Sequence, residues 1–137
     1  MHLSDVSFLA VGLATVLTFG LGALWYSPFL FAKAWMAGQG YTEADIKAMQ
    51  ASMGPNYAIS FVCWFVMATM LAMIASHFGD SPGTIFGVGL HLWLGFSATV
   101  GLTGNRFSNK PLSVWLIDAG YQVASIAIMS VVLGLWS

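Results

Sequence analysis

Four stretches of this chain are long and apolar enough to cross a bilayer, and that requirement limits the possible folds more than any motif does. A hydrocarbon core about 30 Å thick, crossed at about 1.5 Å per residue, needs roughly 20 mostly apolar residues per helix. Segments 6–31, 57–78, 83–104 and 112–136 meet that need. The first carries no charge until Lys33, and the fourth contains one ionisable residue, Asp118. Long apolar runs also occur inside soluble proteins, so composition decides between the two. Only 7% of the 137 residues are charged, against about a quarter in a soluble domain. So few charged side chains cannot cover a water-facing surface, which excludes a soluble enzyme. A net charge of −1 excludes electrostatic binding of nucleic acid. The single cysteine, Cys63, excludes an intramolecular disulfide and a multi-cysteine zinc site. The expected fold is an all-α integral membrane protein, a four-transmembrane-helix bundle forming a single membrane domain over residues 1–137, with no internal repeat.

The first run is not read as a secretory signal. No Lys or Arg precedes it, it is too long, and no small-residue cleavage site closes it. It is expected to be retained, with the mature chain starting at or next to Met1. Lys33 and Lys47 lie between the first and second spans, and Arg106 and Lys110 between the third and fourth. Cytoplasmic loops are enriched in such residues, so both termini are expected outside the cytoplasm of a bacterial inner membrane. Between Ala32 and Asn56, Thr42 reads as a helix cap with Glu43 and Asp45 in the first turn. Ile46, Met49 and Met53 follow at helical spacing, and Gly54-Pro55 is expected to stop the pattern. A short amphipathic helix of about three turns should lie on the cytoplasmic surface, docked on the mouth of its own bundle. Trp25, Tyr26, Trp35, Trp115 and Trp136, near the span ends, read as interface anchors.

Asp118 is the residue that needs a reason. A carboxylate within a span costs about 2.5–3.5 kcal/mol on insertion scales, so it should face protein or water and have a partner. Tyr121, Gln122 and Ser125 share its face at three, four and seven residues, and Gly120 and Ala124 allow another helix close by. Helix rise places Asp118 about 10 Å from the basic end of its span. The same count along the other spans predicts one polar layer of Tyr26, Ser27, Trp64, Ser97, Asp118, Tyr121 and Gln122. Asn105 and Arg106 end the third span close by, with Arg106 or Lys110 able to reach back to Asp118. Pro28 should kink or end the first helix at this level. Such a layer is read first as a hydrogen-bond cluster fixing helix register. The competing reading is an ion, proton or small-polar-ligand site.

Other candidates carry less. His77 and His91 differ in depth by most of two turns, which speaks against shared haem ligation. His91, flanked by Gly87 and Gly95, reads as a core histidine bonded across helices. Met67, Met70 and Met73 read as gap fillers rather than copper ligands. Cys63 sits in an apolar span, where thiols are unreactive. No metal and no cofactor are expected. Gly12, Gly20, Gly22, Gly83, Gly87, Gly95 and Gly101 lie inside spans and read as close-packing positions.

Leu24-Trp25-Tyr26-Ser27-Pro28-Phe29-Leu30-Phe31, followed by Trp35 and Met36, resembles the opening motif of the family called domain of unknown function 1761. So do Leu92-Trp93-Leu94-Gly95-Phe96, Asn105-Arg106-Phe107, Pro111-Leu112 and Leu116-Ile117-Asp118-Ala119-Gly120-Tyr121. The resemblance covers nearly the whole chain and implies a small bacterial membrane protein of four spans. It implies no activity. The first functional expectation is a non-enzymatic scaffold, assembly partner or binding module in contact with lipids, as a homo-oligomer or with a membrane-protein partner, and not with nucleic acid. The rival is a small-solute or proton-coupled transporter or channel with Asp118 lining a cytoplasmic-side cavity, which a water-filled cavity reaching Asp118 would favour. An enzyme using Asp118 and Tyr121 as acid–base groups ranks third.

Overall fold

The computed structural model describes residues 6–136; the N-terminal tail, expected to face outward, lies outside them. The described residues are helical, and four helical stretches are long and apolar enough to cross a membrane: Phe8–Trp25, Gly54–Ala75, Pro82–Phe107 and Leu112–Trp136. The first is α1. Two short helices follow, α2 (Ala32–Gln39) and α3 (Glu43–Gln50), and then α4 (Gly54–Ala75). The third stretch is composite: α5 (Pro82–Leu92), a π-helical segment (Trp93–Ala98) and α6 (Thr99–Phe107). The fourth is α7 (Leu112–Trp136).

Local chemistry explains the boundaries. Ser7 caps α1 by accepting from the Ala10 N–H, and Ser81 caps α5 by accepting from the Thr84 N–H at 3.1 Å. Pro82 and Pro55 sit in first turns, where a missing N–H costs nothing. Gly54-Pro55 therefore opens α4, where the sequence reading had it closing the preceding helix. The first span is also shorter than the expected 6–31. Pro28 forbids continuation, and α1 stops at Trp25. The chain reverses through Ser27–Phe31, with the Phe31 N–H returned to the Trp25 carbonyl at 3.1 Å. A separate helix, α2, then starts at Ala32, ahead of the amphipathic helix expected in this region. It ends at Gly40, whose φ of 77° lies in the left-handed region that favours glycine. Thr42 and Asp45 exchange both bonds of a capping box at the start of α3. Hydrogen bonds from Thr42, its backbone N–H foremost, hold the exposed Asp45 carboxyl below the usual carboxylate range.

The break in the third span was not anticipated. A π turn displaces backbone acceptors, and the Thr99 hydroxyl takes up two of them, the Gly95 and Phe96 carbonyls, at 3.1 and 3.0 Å. His91 does not bond across helices as expected. It is exposed, and its Nδ1 lies 2.7 Å from the Gly87 carbonyl on its own helix.

α7 is the central rod. Half of its apolar window is buried, against 17–28% for the other three, and α1, α2, α5 and α6 all pack on it. The dry core fills the half of the bundle away from the basic loops: Val11 and Ala14 of α1, Ala68 and Leu71 of α4, Ile85 of α5, and Met129 and Leu133 of α7. Small residues let the helices approach closely there. Several hydroxyls buried in the interior turn back on their own helices, as Thr15 does to the Val11 carbonyl and Ser130 to the Ile126 carbonyl. The outward faces carry large apolar side chains, among them Leu9, Val16, Val66, Val100 and Leu135.

Glycine matters at few positions, and mostly not those expected. A Cβ on Gly12, Gly20, Gly83, Gly87 or Gly95 would meet nothing within 4 Å, whereas on Gly89 it would fall 2.6 Å from the Ile126 Cγ2 and 3.2 Å from the Leu71 Cδ1. Gly89→Ala is therefore expected to lower stability by about 1–3 kcal/mol through overpacking. Gly87→Ala, two residues away, should leave stability unchanged or raise it by about 0.4–1 kcal/mol through the unfolded chain. Thermal unfolding of the two variants in the same detergent checks this, and equal shifts would contradict it.

Candidate functional site

Below the dry core, on the side of the basic loops, the packing opens. A cavity of about 940 Å³ lies between α1, α2, α3, α4 and α7. Its polar focus is Asp118, in the second turn of α7. The Tyr26 hydroxyl, just past the end of α1, donates to Asp118 Oδ1 at 2.5 Å, and the Trp35 Nε1 of α2 donates to the same oxygen at 3.2 Å. Both donors land on Oδ1, and Asp118 lines the cavity.

The chain reversal after Trp25 makes this arrangement possible. Ending α1 at Trp25, ahead of Pro28, and restarting at Ala32 brings Trp35 back over Tyr26, the rings meeting edge to face at 5.9 Å. α2 is held there by a close approach to α7: a Cβ on Gly38 would fall 2.5 Å from the Val114 Cγ2. Trp25 secures the other side of the turn. Its Nε1 donates to the Ile117 carbonyl at 2.9 Å, and its ring lies over Gly120, where a Cβ would meet the Cζ2 at 2.9 Å. Three residues read as interface anchors, Trp25, Tyr26 and Trp35, are thus bonded to α7. A buried indole or phenol needs an acceptor, and Asp118 was the acceptor most in need of donors.

Tyr121, one turn along from Asp118, has a different role from the one its spacing suggested. Its hydroxyl donates to the Thr18 carbonyl at 2.9 Å, over Gly22, where a Cβ would lie 2.7 Å from the Tyr121 hydroxyl oxygen. Its ring forms part of the cavity wall, edge to face with Tyr26 at 5.6 Å and with Trp64 of α4 at 5.2 Å. The hydroxyl is committed to α1, so Asp118 and Tyr121 do not form a hydrogen-bonded acid–base pair.

The predicted layer therefore divides. Tyr26, Trp64, Asp118 and Tyr121 meet at the cavity. Ser27 does not; its hydroxyl donates to the Leu24 carbonyl at 2.6 Å. Gln122 and Ser97 lie on the opposite flank of α7, in a separate cavity of about 180 Å³, where Gln122 Oε1 accepts from Trp93 Nε1 at 2.8 Å. Asn105 donates to the Pro111 carbonyl at 3.0 Å and pins the turn between α6 and α7, while its buried Oδ1 and the Thr18 hydroxyl have no partner among the described residues. Arg106 is exposed. Lys110 does not reach back to Asp118; it donates to the Gln39 carbonyl at 3.1 Å and lies over the Tyr41 ring, tying the two basic loops together. Counting helix rise gives depth but not direction. A step of three from Asp118 falls to one side of it and a step of four to the other, so Tyr121 and Gln122 face different neighbours.

On the basic-loop side, α3 closes part of the cavity with Ile46 and Met49, with Met53 beside them. These are the residues whose helical spacing marked an amphipathic segment. Among the described residues no three His, Cys, Asp or Glu side chains gather as a metal site would need.

Comparison with known proteins is narrow. The family model described as "Protein of unknown function (DUF1761)" matches residues 9–134. No curated protein and no solved structure matches the chain.

Removing one donor from a half-buried carboxylate leaves charge without its partner. Tyr26→Phe is expected to lower stability by about 1.5–3 kcal/mol, while Ser27→Ala next to it should stay within about 0.5 kcal/mol. Denaturant unfolding in detergent distinguishes the two, and a Ser27→Ala loss as large as that of Tyr26→Phe would contradict the assignment.

Proposed function

The chain belongs to the DUF1761 family of proteins of unknown function, and from that premise we propose that it is a multi-pass membrane protein that binds a small amphipathic solute in the cavity at Asp118. The four apolar helices cross the bilayer with their exposed Leu and Val faces toward acyl chains. Lys33, Lys47, Arg106 and Lys110 mark the cytoplasmic end. The cavity then opens on the cytoplasmic side, beneath α3, in the plasma membrane.

One observation carries this reading over a purely structural one. Asp118 is the only acidic residue in the four apolar helices, and it lines a cavity rather than being packed over. A cluster that only fixes helix register needs its polar atoms satisfied and the space around them filled. Here α1 and α2 satisfy one carboxylate oxygen, and the volume beside the carboxylate stays open. Binding sites for small molecules have this form: about 300–1,000 Å³, mostly apolar and aromatic walls, and a few polar groups in fixed positions. A bound solute facing the cytoplasm places the protein in the carrier class, where intramembrane acids commonly line the substrate path.

Filling the cavity tests this. Ser60 stands in its wall and is exposed, so Ser60→Trp occupies the space without disturbing the core. Val131→Trp, on an exposed face of α7, is the control. Gentle purification and native mass spectrometry should find a small molecule on the wild type and on Val131→Trp that Ser60→Trp has lost. The same set of bound molecules on all three would contradict the proposal.

A further inference from the structure

We infer that the cavity at Asp118 selects a monovalent organic cation, an inference that rests on the ligand-site reading above and names its chemical class. The cavity wall carries one formal charge. Asp118 supplies it, and no Lys, Arg or His stands among the described residues lining the space. An anionic solute would meet an unopposed carboxylate at close range in a medium that screens charge poorly. A neutral solute would leave that carboxylate without a counter-charge. A single positive charge balances it.

The walls match the same ligand. Six aromatic side chains line the space: Phe19, Tyr26, Trp35, Tyr57, Trp64 and Tyr121. Several meet edge to face rather than in a flat stack, Phe19 with Tyr57 at 6.2 Å and 80°, and Trp64 with Tyr121 at 5.2 Å and 79°. Rings set at such angles enclose a volume, and their electron-rich faces attract cations, as in cages that hold quaternary ammonium groups. Met36, Met49 and Met53 add polarizable, adaptable surface that accommodates apolar substituents of varied shape. An inorganic cation fits poorly. Calcium takes six to eight oxygen ligands and magnesium a near-ideal octahedron, whereas this wall offers one carboxylate with the Tyr hydroxyls, Ser60 and Gln50. The carboxylate sets the sign of the ligand's charge, and the aromatic and methionine lining sets its greasy, polarizable character.

The test uses the full-length protein in lipid nanodiscs, with binding measured by equilibrium dialysis against empty nanodiscs. Three probes share aryl groups and differ in charge: tetraphenylphosphonium, tetraphenylborate and neutral triphenylphosphine oxide. Tetraphenylphosphonium is expected to bind the wild type at least about tenfold more tightly than either of the others. Asp118→Asn keeps the size of the side chain and an acceptor for Tyr26 and Trp35, and should remove about tenfold of that preference. Trp64→Leu should weaken the cation more than the neutral probe. The charge preference of the wild type needs no variant, so a poorly folding variant does not blunt the test. Equal binding of cation and neutral probe, unchanged in Asp118→Asn, would overturn the cation assignment and leave the ligand site standing. Absence of binding by all three probes would overturn both.

Discussion

Away from water, a polar group keeps its hydrogen bonds only if the protein supplies the partner, and this bundle supplies them by directing three indoles onto one helix. Trp25 of α1 donates to the Ile117 carbonyl, Trp35 of α2 to Asp118, and Trp93 of the π-helical segment to Gln122. All three acceptors lie within two turns of α7. Between apolar helices in lipid the hydrophobic effect offers no net drive, and packing and hydrogen bonds must select the arrangement. Each indole fixes the depth and rotation of its own segment relative to α7. The glycines that matter follow from this: Gly120 lies beneath Trp25, Gly22 beneath the Tyr121 hydroxyl, and Gly38 against Val114 of α7.

These constraints divide the bundle into two halves. Away from the basic loops, Ala and other small residues allow α1, α4, α5 and α7 to close into a dry core. Toward the basic loops the aromatic side chains are too large and too angled for such closure, and they wall a cavity. The dry half gives the site a fixed base. α3 at the other end has no buried residue, so it covers the cavity by contact of Ile46 and Met49 rather than by being built into the core. Elements with little buried area are the ones that open most readily, and under the proposed function α3 is the element suited to admit a solute.

Much of this was legible in the sequence because apolar length is a one-dimensional property. Of the four helices long and apolar enough to cross a membrane, the last runs over 112–136, and the other three differ at their ends from the apolar stretches read in the sequence. Asp118 was recognisable as the residue of interest because a carboxylate in an apolar run needs a reason to be there. Direction around the helix was not legible. Tyr121 and Gln122 were placed on one face, yet they point to different neighbours, and Ser27 and Ser97 share the depth of the layer without facing the cavity. Trp35 was missed because the reversal at Pro28 had to be known before a residue beyond the expected first span could fold back onto α7. The clue was present in a proline within that span and an indole a few residues later. The π segment left no comparable sign, since its Gly95 and Ser97, and Thr99 just after it, suit an ordinary helix equally well.

The account depends on Asp118 facing a cavity that water can enter from the end carrying Lys33, Lys47, Arg106 and Lys110. Thiol accessibility measures this most directly. In a Cys63→Ser background, Asp118→Cys in oriented membranes should react with a water-soluble, membrane-impermeant thiol reagent applied on the side of those loops, and not on the other. Val131→Cys, on the outward face of α7, should stay unlabelled from both sides. An Asp118→Cys thiol as inert as that of Val131→Cys, or one labelled only from the opposite side, would contradict the account.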